Sequence, residues 1–232
     1  MEERKPAIAI DRLVRSRRKT IALIVELDGS LTVRAPLKAP KRQILALVQE
    51  KADWIRAKQA LANEKYPEQP VHRFEPGESF LFLGKSYPLE WVERSRPALA
   101  LEDGRFLLAR SAHPKAAQAF RNWYRNQARR VLAERADHYA GKWGLQYGRI
   151  RISSARTRWG SCSGRGTLSF PWRLVMAPLQ VVDYVVVHEL AHLEFRNHSK
   201  DFWARIAEWM PNYREKIQWL EDNGHLMPDF LA

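Results

Sequence analysis

Three histidines and one glutamate lie at the end of an apolar stretch, "VVVHELAHLEFRNH", at positions 185–198. His188 and His192 are four residues apart, so on a helix both rings project from one face and can bind the same ion. Glu189 follows His188, which places its carboxylate beside a bound water rather than among the ligands. Neutral imidazoles suit zinc, and a catalytic zinc site has three protein ligands and a fourth position for water.

The third ligand is predicted to be His198. A histidine ten positions after His188 matches the ligand spacing of the metzincin pattern HExxHxxGxxH, in which the glycine lets the chain turn back to the metal. Phe195 stands at the glycine position here. We therefore predict that the helix ends near Arg196 and that the turn falls at Asn197, a residue type that tolerates left-handed backbone geometry. Ser199 is the predicted N-cap of the next helix.

These residues predict the activation of water. A zinc ion, or another divalent metal, lowers the pKa of a bound water, and Glu189 takes its proton as the water attacks a peptide carbonyl. The same glutamate can pass the proton to the leaving amine. The negative charge that develops on the carbonyl oxygen needs a donor, and Arg158 and Tyr213 are the predicted candidates.

Two other functions remain open, because HExxH is a short pattern that also occurs in helices that bind nothing. The many arginines could hold a phosphate, which would make the protein a nucleotide or phosphoester hydrolase of the pyrophosphatase type with the same metal. Alternatively, it is a nucleic-acid-associated protein with a protease-like domain, although the sequence contains no recognised nucleic-acid-binding motif.

The composition narrows the class of protein. With 232 residues the chain can bury a full-sized core, so a metal is free for catalysis rather than needed for folding. The net charge is +13, yet residues 176–232 carry 5 Lys+Arg against 9 Asp+Glu, so an anionic partner would be drawn to the surface around the histidine helix. The single cysteine, Cys162, and the lack of a signal peptide or an apolar run of about 20 residues predict a cytoplasmic protein without a membrane span.

The helices and strands predicted from the sequence, which must position these residues, indicate an α+β fold. Residues 1–110 are expected to form a β-rich N-terminal subdomain with one amphipathic helix over 41–63. Its three hairpins turn at the dipeptides Asp28-Gly29, Gly84-Lys85 and Asp103-Gly104. Residues 111–232 are expected to form the catalytic domain, in which Pro178 opens the histidine helix and Pro211 opens the last one. The two regions are predicted either as separate domains or as one continuous unit.

A long basic helix is predicted from Pro114 to about Gly141. Its outer face carries arginines at four-residue steps, namely Arg121, Arg125 and Arg129. This row, which we call the basic ridge, could contact phosphates of an anionic partner such as a nucleotide or nucleic acid, although rows of charge on helices usually face solvent.

Two strands around a Gly/Ser-rich loop at 160–166 are predicted between the long helix and the histidine helix. Trp159 and Trp172 lie on either side of this loop and could wall a substrate cleft, although Trp172 is better explained as core. Cys162 is expected to be an unreactive thiol, because three histidines already complete a catalytic ligand set.

Residues 156–213 contain several short sequence motifs in a fixed order. They are "RWGSCS", "PWRL", "VVDYVVVHELAHL", and "NHSKDFW" followed by "PNY". Together they resemble the YgjP-like metallopeptidase family, a zincin group related to the SprT and WLM proteins. The N-terminal hairpins and "EKADWIRAK" match the layout of that family more weakly.

The resemblance implies a zinc-dependent hydrolase that acts on a protein or peptide, with a compact zincin or gluzincin-like core of helices packed on a small sheet. By the same resemblance, the ligands are His188, His192 and His198, and the base is Glu189. Pro171 stands where the family usually has Asn. This departure weakens any claim that a strand edge there pairs with substrate, because proline cannot donate a ladder hydrogen bond.

Overall fold

A computed structural model describes residues 8–26, 29–65 and 72–227 of the chain. The chain divides into two compact units, Met1–Pro70 and Val71–Ala232. Within the described ranges the structure contains six α-helices and three small sheets, which confirms the predicted α+β class.

The first unit contains one three-stranded sheet. Its strands are β1 (Arg12–Ser16), β2 (Ala22–Val25) and β3 (Leu31–Pro36). β2 and β3 form the predicted antiparallel hairpin, and β1 pairs in parallel with the other edge of β3. Gly29 has a φ of 78°, a conformation that favours glycine, whereas its predicted turn partner Asp28 lies outside the described residues.

The helix predicted over 41–63 is two helices, α1 (Lys41–Glu50) and α2 (Ala52–Lys65). The backbone leaves helical geometry at Lys51, where φ is −95° and ψ is 14°. Ile44 and Ile55 are buried with the inner face of β3, as their spacing predicts. Trp54 is 45% exposed, so this aromatic ring does not join the core that its place in the pattern indicated.

The second unit begins with two hairpins that join into one sheet. The strands are β4 (Ser79–Phe82), β5 (Lys85–Val92), β6 (Leu99–Glu102) and β7 (Arg105–Ala109). Both hairpins turn where the sequence predicts, at Gly84 and Gly104, and both glycines have positive φ. Parallel pairing of β5 with β7 gives the order β4-β5-β7-β6.

These hairpins share one core with the long helix α3 (Ala116–Trp143). The rings of Phe80 and Phe120 are stacked with centroids 4.1 Å apart, and Phe106 lies 5.1 Å from Phe120. Residues 71–110 therefore group with the later part of the chain, whereas the sequence placed the boundary near residue 110. The reason is a set of long-range aromatic contacts that local patterns do not reveal.

Helix α3 also holds the elements that follow it. The basic ridge is partly internal, because Arg125 donates to the carbonyl oxygen of Ile152 at 3.1 Å and to Ser154 Oγ at 3.4 Å. Deeper in the unit, Arg135 donates to both carboxylate oxygens of Asp183, at 2.5 and 2.9 Å. This second contact fixes α3 against the helix that carries the predicted metal ligands.

A third sheet and three helices complete the unit. They are β8 (Arg149–Ser153), β9 (Ser161–Cys162), β10 (Thr167–Pro171), α4 (Leu179–Ala191), α5 (Lys200–Trp209) and α6 (Tyr213–Asn223). β10 is central, parallel to β8 and antiparallel to the short β9. Pro171 is thus the last residue of a central strand, and β9 is the sheet edge nearest the predicted site.

Candidate metal centre

The three predicted histidine ligands meet at one point. Each offers one ring nitrogen, and the three nitrogens lie within 4.8 Å of one another. The Nε2 atoms of His188 and His198 are 3.0 Å apart. Two ligand nitrogens on a tetrahedral zinc ion are about 3.3 Å apart for zinc–nitrogen bonds of about 2.0–2.1 Å, which is close to the separation of His188 and His198.

The chain reaches this arrangement by ending α4 earlier than the sequence predicts. α4 stops at Ala191, and the amides of Leu193 and Glu194 bond carbonyl oxygens three residues back, which tightens the last turn. The prediction that the helix ends near Arg196 is therefore wrong. The chain does bend at residues 196–197, where the turn was predicted, but Asn197 has no positive φ. The helix ends without a glycine, so phenylalanine is tolerated at position 195.

Phe195 has two roles in this turn. Its side chain is partly buried against the core, and its carbonyl oxygen accepts a hydrogen bond from Nδ1 of His192 at 2.9 Å. A carbonyl oxygen can only accept, so Nδ1 of His192 carries the donated proton, and Nε2 is the nitrogen that remains for a metal. His198 lies three residues after Phe195. The next residue, Ser199, caps α5 as predicted, and its hydroxyl accepts from the amide of Phe202 at 3.3 Å.

His188 has a corresponding partner. The hydroxyl of Tyr184, one turn earlier on α4, lies 3.3 Å from Nδ1 of His188. A hydrogen bond on the outer nitrogen of a ligating histidine fixes the ring and its tautomer. Burial and the other two histidines lower the pKa of His188 to about 3, and burial also lowers the pKa of His198. Both rings are neutral near pH 7, which is the form that binds a metal.

Glu189 is buried beside this cluster and is 5% exposed. Its carboxyl group accepts from the backbone N–H of Cys162, while its Oε2 has no hydrogen-bond partner among the described residues. Burial raises the pKa of Glu189 to about 8, against the opposing effects of the nearby Arg158 and of the Cys162 amide. A buried carboxyl with a spare oxygen beside three imidazole rings fits a site built for a cation and a water molecule.

A cavity of about 390 Å³ adjoins the cluster. His188 and Glu189 line it on one side, the segment 158–160 on another, and residues of α6 on a third. Arg158 is therefore placed near Glu189, as its predicted role requires. Tyr213 is not among the lining residues. Its ring stacks on Trp203 with centroids 5.6 Å apart, and its hydroxyl accepts from Nε of Arg214 at 3.3 Å.

The segment 156–160 is held by a residue that the sequence analysis did not single out, Arg173. Its side chain is 7% exposed, donates to the carbonyl oxygen of Arg156 at 2.6 Å, and lies over the Trp159 ring at 4.8 Å from the centroid. A lone arginine within "LSFPWRLVM" is the signal that could have indicated it. Trp172 is 1% exposed, in agreement with its assignment to the core.

Two more residues near Glu189 were not identified from the sequence, Gly160 and Tyr184. Tyr184 precedes His188 by four residues, so helical spacing could have revealed it. Gly160 has no comparable local signal. Cys162 was expected to be unreactive, and burial together with the charge of Glu189 raises the pKa of its thiol, so it is a thiol rather than a thiolate.

An α+β fold that gathers three histidines beside a buried glutamate is that of a metal-dependent, protease-like protein. The chain belongs to the YgjP-like metallopeptidase family, because the family model described as YgjP-like, metallopeptidase domain matches residues 19–223. This confirms the resemblance seen in the sequence. The family implies a divalent metal and a protein or peptide substrate, and it lends no support to a nucleic-acid partner.

Other comparisons add little to this assignment. The chain is similar to a solved structure described as the metallopeptidase zymogen of Pyrococcus abyssi abylysin, at 22% identity and a TM-score of 0.36. The match covers 39% of this chain and 92% of that chain. Among curated proteins no significant match is found. In the described part of the chain, no helix has the length and apolar character needed to cross a membrane.

Proposed function

We propose that this protein is a zinc-dependent peptidase in which His188, His192 and His198 hold the metal and Glu189 is the general base. The proposal rests on one observation: a buried, partly unpaired carboxyl adjoins three histidine nitrogens within 4.8 Å of one another, at the wall of a cavity. When bound, the ion supplies Lewis-acid chemistry, which polarises a carbonyl group and makes a water acidic.

The chain's own residues supply the proton transfers. A cation held by the three histidines would lower the pKa of Glu189 and favour its carboxylate form. That carboxylate would accept a proton from the attacking water and donate it to the nitrogen of the departing amine, so the peptide bond would break with no net change in the charge of the enzyme. The Cys162 amide holds the carboxyl group in place during both transfers. Tyr184 and the Phe195 carbonyl oxygen orient the His188 and His192 rings.

Arg158 is the proposed donor to the negative charge that develops on the carbonyl oxygen. It lines the same cavity as Glu189 and is exposed, so its guanidinium group is accessible to a substrate. Tyr213, the second donor predicted from the sequence, stays a prediction, and a Tyr213→Phe variant measures its contribution to kcat.

The experiment pairs metal analysis with a cleavage assay. The purified protein should contain close to one zinc per chain, and His192→Ala should lose it. The zinc-loaded protein should cleave a denatured protein mixture, and Glu189→Gln should abolish cleavage while retaining the metal. Glu194→Gln is the matched control, because Glu194 is an exposed glutamate nearby that pairs with Arg205. Release of phosphate from nucleotides with the same Glu189 dependence, and no peptide cleavage, would overturn the proposal in favour of a phosphoester hydrolase.

A further inference from the structure

The cavity beside Glu189 has a wall that the chemistry of bond cleavage does not require. Four of its lining side chains are apolar, namely Trp159, Val185, Ile217 and Leu220. Val185 and Leu220 are 3% and 9% exposed, so they form a dry inner wall, whereas the charged lining residues Arg158 and Glu221 are exposed. The volume of about 390 Å³ equals that of roughly thirteen water molecules and is within the range of ligand pockets.

This wall is fixed before any ligand arrives. Trp159 packs on one side against the buried Arg173 guanidinium group. At another side it approaches Gly224 so closely that a Cβ there would lie 2.9 Å from Cζ2 of the indole. Helix α6, which carries Ile217 and Leu220, ends at this contact. Because the side chains of such a cavity are already ordered, they lose little conformational entropy when an apolar group binds.

From these observations we infer that the cavity is a specificity pocket that takes a large apolar side chain, aromatic or long aliphatic, of the substrate residue next to the cleaved peptide bond. His188 and Glu189 form part of the same lining, so a side chain inside the pocket places its own backbone at the reacting groups. A charged side chain would lose its hydration against Val185 and Leu220, and Glu189, the buried carboxyl of the lining, serves the metal site in the proposed function, so a charged side chain is disfavoured. This inference rests on the proposed peptidase function and names its substrate class.

The first test is the cleavage pattern of the zinc-loaded protein on a library of denatured peptides. We expect large apolar residues to be enriched at one position beside the cleaved bond. Ile217→Trp should fill the pocket and lower kcat/KM by at least about tenfold for peptides with Phe or Leu there, with a smaller effect on peptides with Ala. Gln218→Trp is the matched control, because it adds the same bulk at an exposed position of the same helix.

The second test does not depend on catalysis. N-acetyl-phenylalanine amide and N-acetyl-alanine amide are titrated into Glu189→Gln protein while the indole signal of Trp159 is followed by NMR, assigned with Trp159→Phe. We expect Trp159 to respond to the phenylalanine compound at a concentration at least about tenfold lower than to the alanine compound, and Ile217→Trp to abolish the difference.

The outcomes separate the pocket from the proposed function. Three results would contradict the specificity pocket while still supporting a peptidase. The wild type could cleave with no side-chain preference, it could prefer charged residues, or its preference could be unchanged in Ile217→Trp. A wild type that cleaves no peptide overturns the peptidase. In that event the titration still decides about the pocket, and equal responses to the two amides overturn it.

Discussion

Gly160 lies so close to Glu189 that a Cβ atom at position 160 would be 2.3 Å from Oε1 and 2.6 Å from Cγ of the glutamate. Real Cβ atoms essentially never make such contacts, so the carboxyl group occupies space that only glycine leaves open. Glu189, the proposed base, is therefore constrained by the segment that contains Gly160 as well as by its own helix.

We expect Gly160→Ala to displace the Glu189 carboxyl and to lower kcat by about 100-fold, because a shift of about 1 Å in a catalytic group has an effect of this size. The protein should still bind one metal ion, since the atoms nearest to a Cβ at position 160 belong to Glu189 and not to the three histidines. Cleavage kinetics and metal analysis on the same sample measure both. Gly164→Ala is the control, as a Cβ at Gly164 meets nothing within 4 Å. Equal kinetics for the two variants would contradict the constraint.

Tyr184→Phe should weaken metal binding about 10- to 100-fold, because it removes the hydrogen-bond partner of Nδ1 of His188 while His188 itself is unchanged. Competition with a chromophoric chelator measures the affinity. Tyr147→Phe removes a comparable hydroxyl, bonded to Asp137 and not part of the histidine cluster, and should leave the affinity unchanged. An unaltered affinity in Tyr184→Phe would show that its hydroxyl does not orient His188.

Arg135→Met should lower the free energy of unfolding by about 3 kcal/mol. The substitution leaves Asp183, which is 8% exposed, as a buried charge without its bidentate partner on α3. The double variant Arg135→Met/Asp183→Leu should recover most of the loss, because it removes both charges. Urea unfolding at a constant metal concentration measures all three proteins. A double variant as unstable as the single one would mean that packing, not the stranded charge, causes the loss.

The metal-free protein should have a pH dependence of stability that comes from Glu189. Its pKa is about 8 in the folded protein and 4.5 ordinarily, so above pH 4.5 the unfolded chain releases a proton that the folded chain keeps. Stability from this group is therefore present below pH 4.5 and is lost as the pH rises toward 8. At pH 7.5 metal-free Glu189→Gln should be more stable than the wild type by about 4 kcal/mol, and at pH 4.5 the two should be nearly alike.

Urea unfolding of the two metal-free proteins across this pH range provides the measurement. The depressed pKa of His188 contributes a change of opposite direction below pH 6.5, but it is present in both proteins and is removed by taking their difference. A difference that does not grow with pH would indicate that the Glu189 carboxyl is solvated in the metal-free state.

The parts of the site that follow from helix geometry were predictable from the sequence. The four-residue spacing of His188 and His192, and the N-cap at Ser199, depend only on local backbone rules. The same holds for the glycine turns at Gly84 and Gly104. Such features need no knowledge of which distant segments meet.

The end of α4 and the placement of Glu189 depend on contacts that no local pattern encodes. The helix ends five residues earlier than predicted. Backbone hydrogen bonds close its last turn, and the Phe195 carbonyl oxygen accepts from His192, whereas the sequence suggested a turn at Asn197. The close approach of Gly160 to Glu189 joins residues 29 positions apart. The grouping of the hairpins with the later part of the chain has a similar origin, because they bury Phe80 and Phe106 against a helix that comes later in the sequence.

Arg196 connects the segment that carries the histidines to the segment that follows Cys162. It lies between the second and third histidines and donates to the carbonyl oxygens of Ser163 and Gly164 at 3.1 and 3.2 Å, directly after the strand whose Cys162 amide holds Glu189. Local opening of the segment 192–198 would therefore release a proposed ligand and loosen the support of Glu189 in the same event. We expect loss of the metal and displacement of the proposed base to form one cooperative transition, so that a partly opened molecule keeps neither.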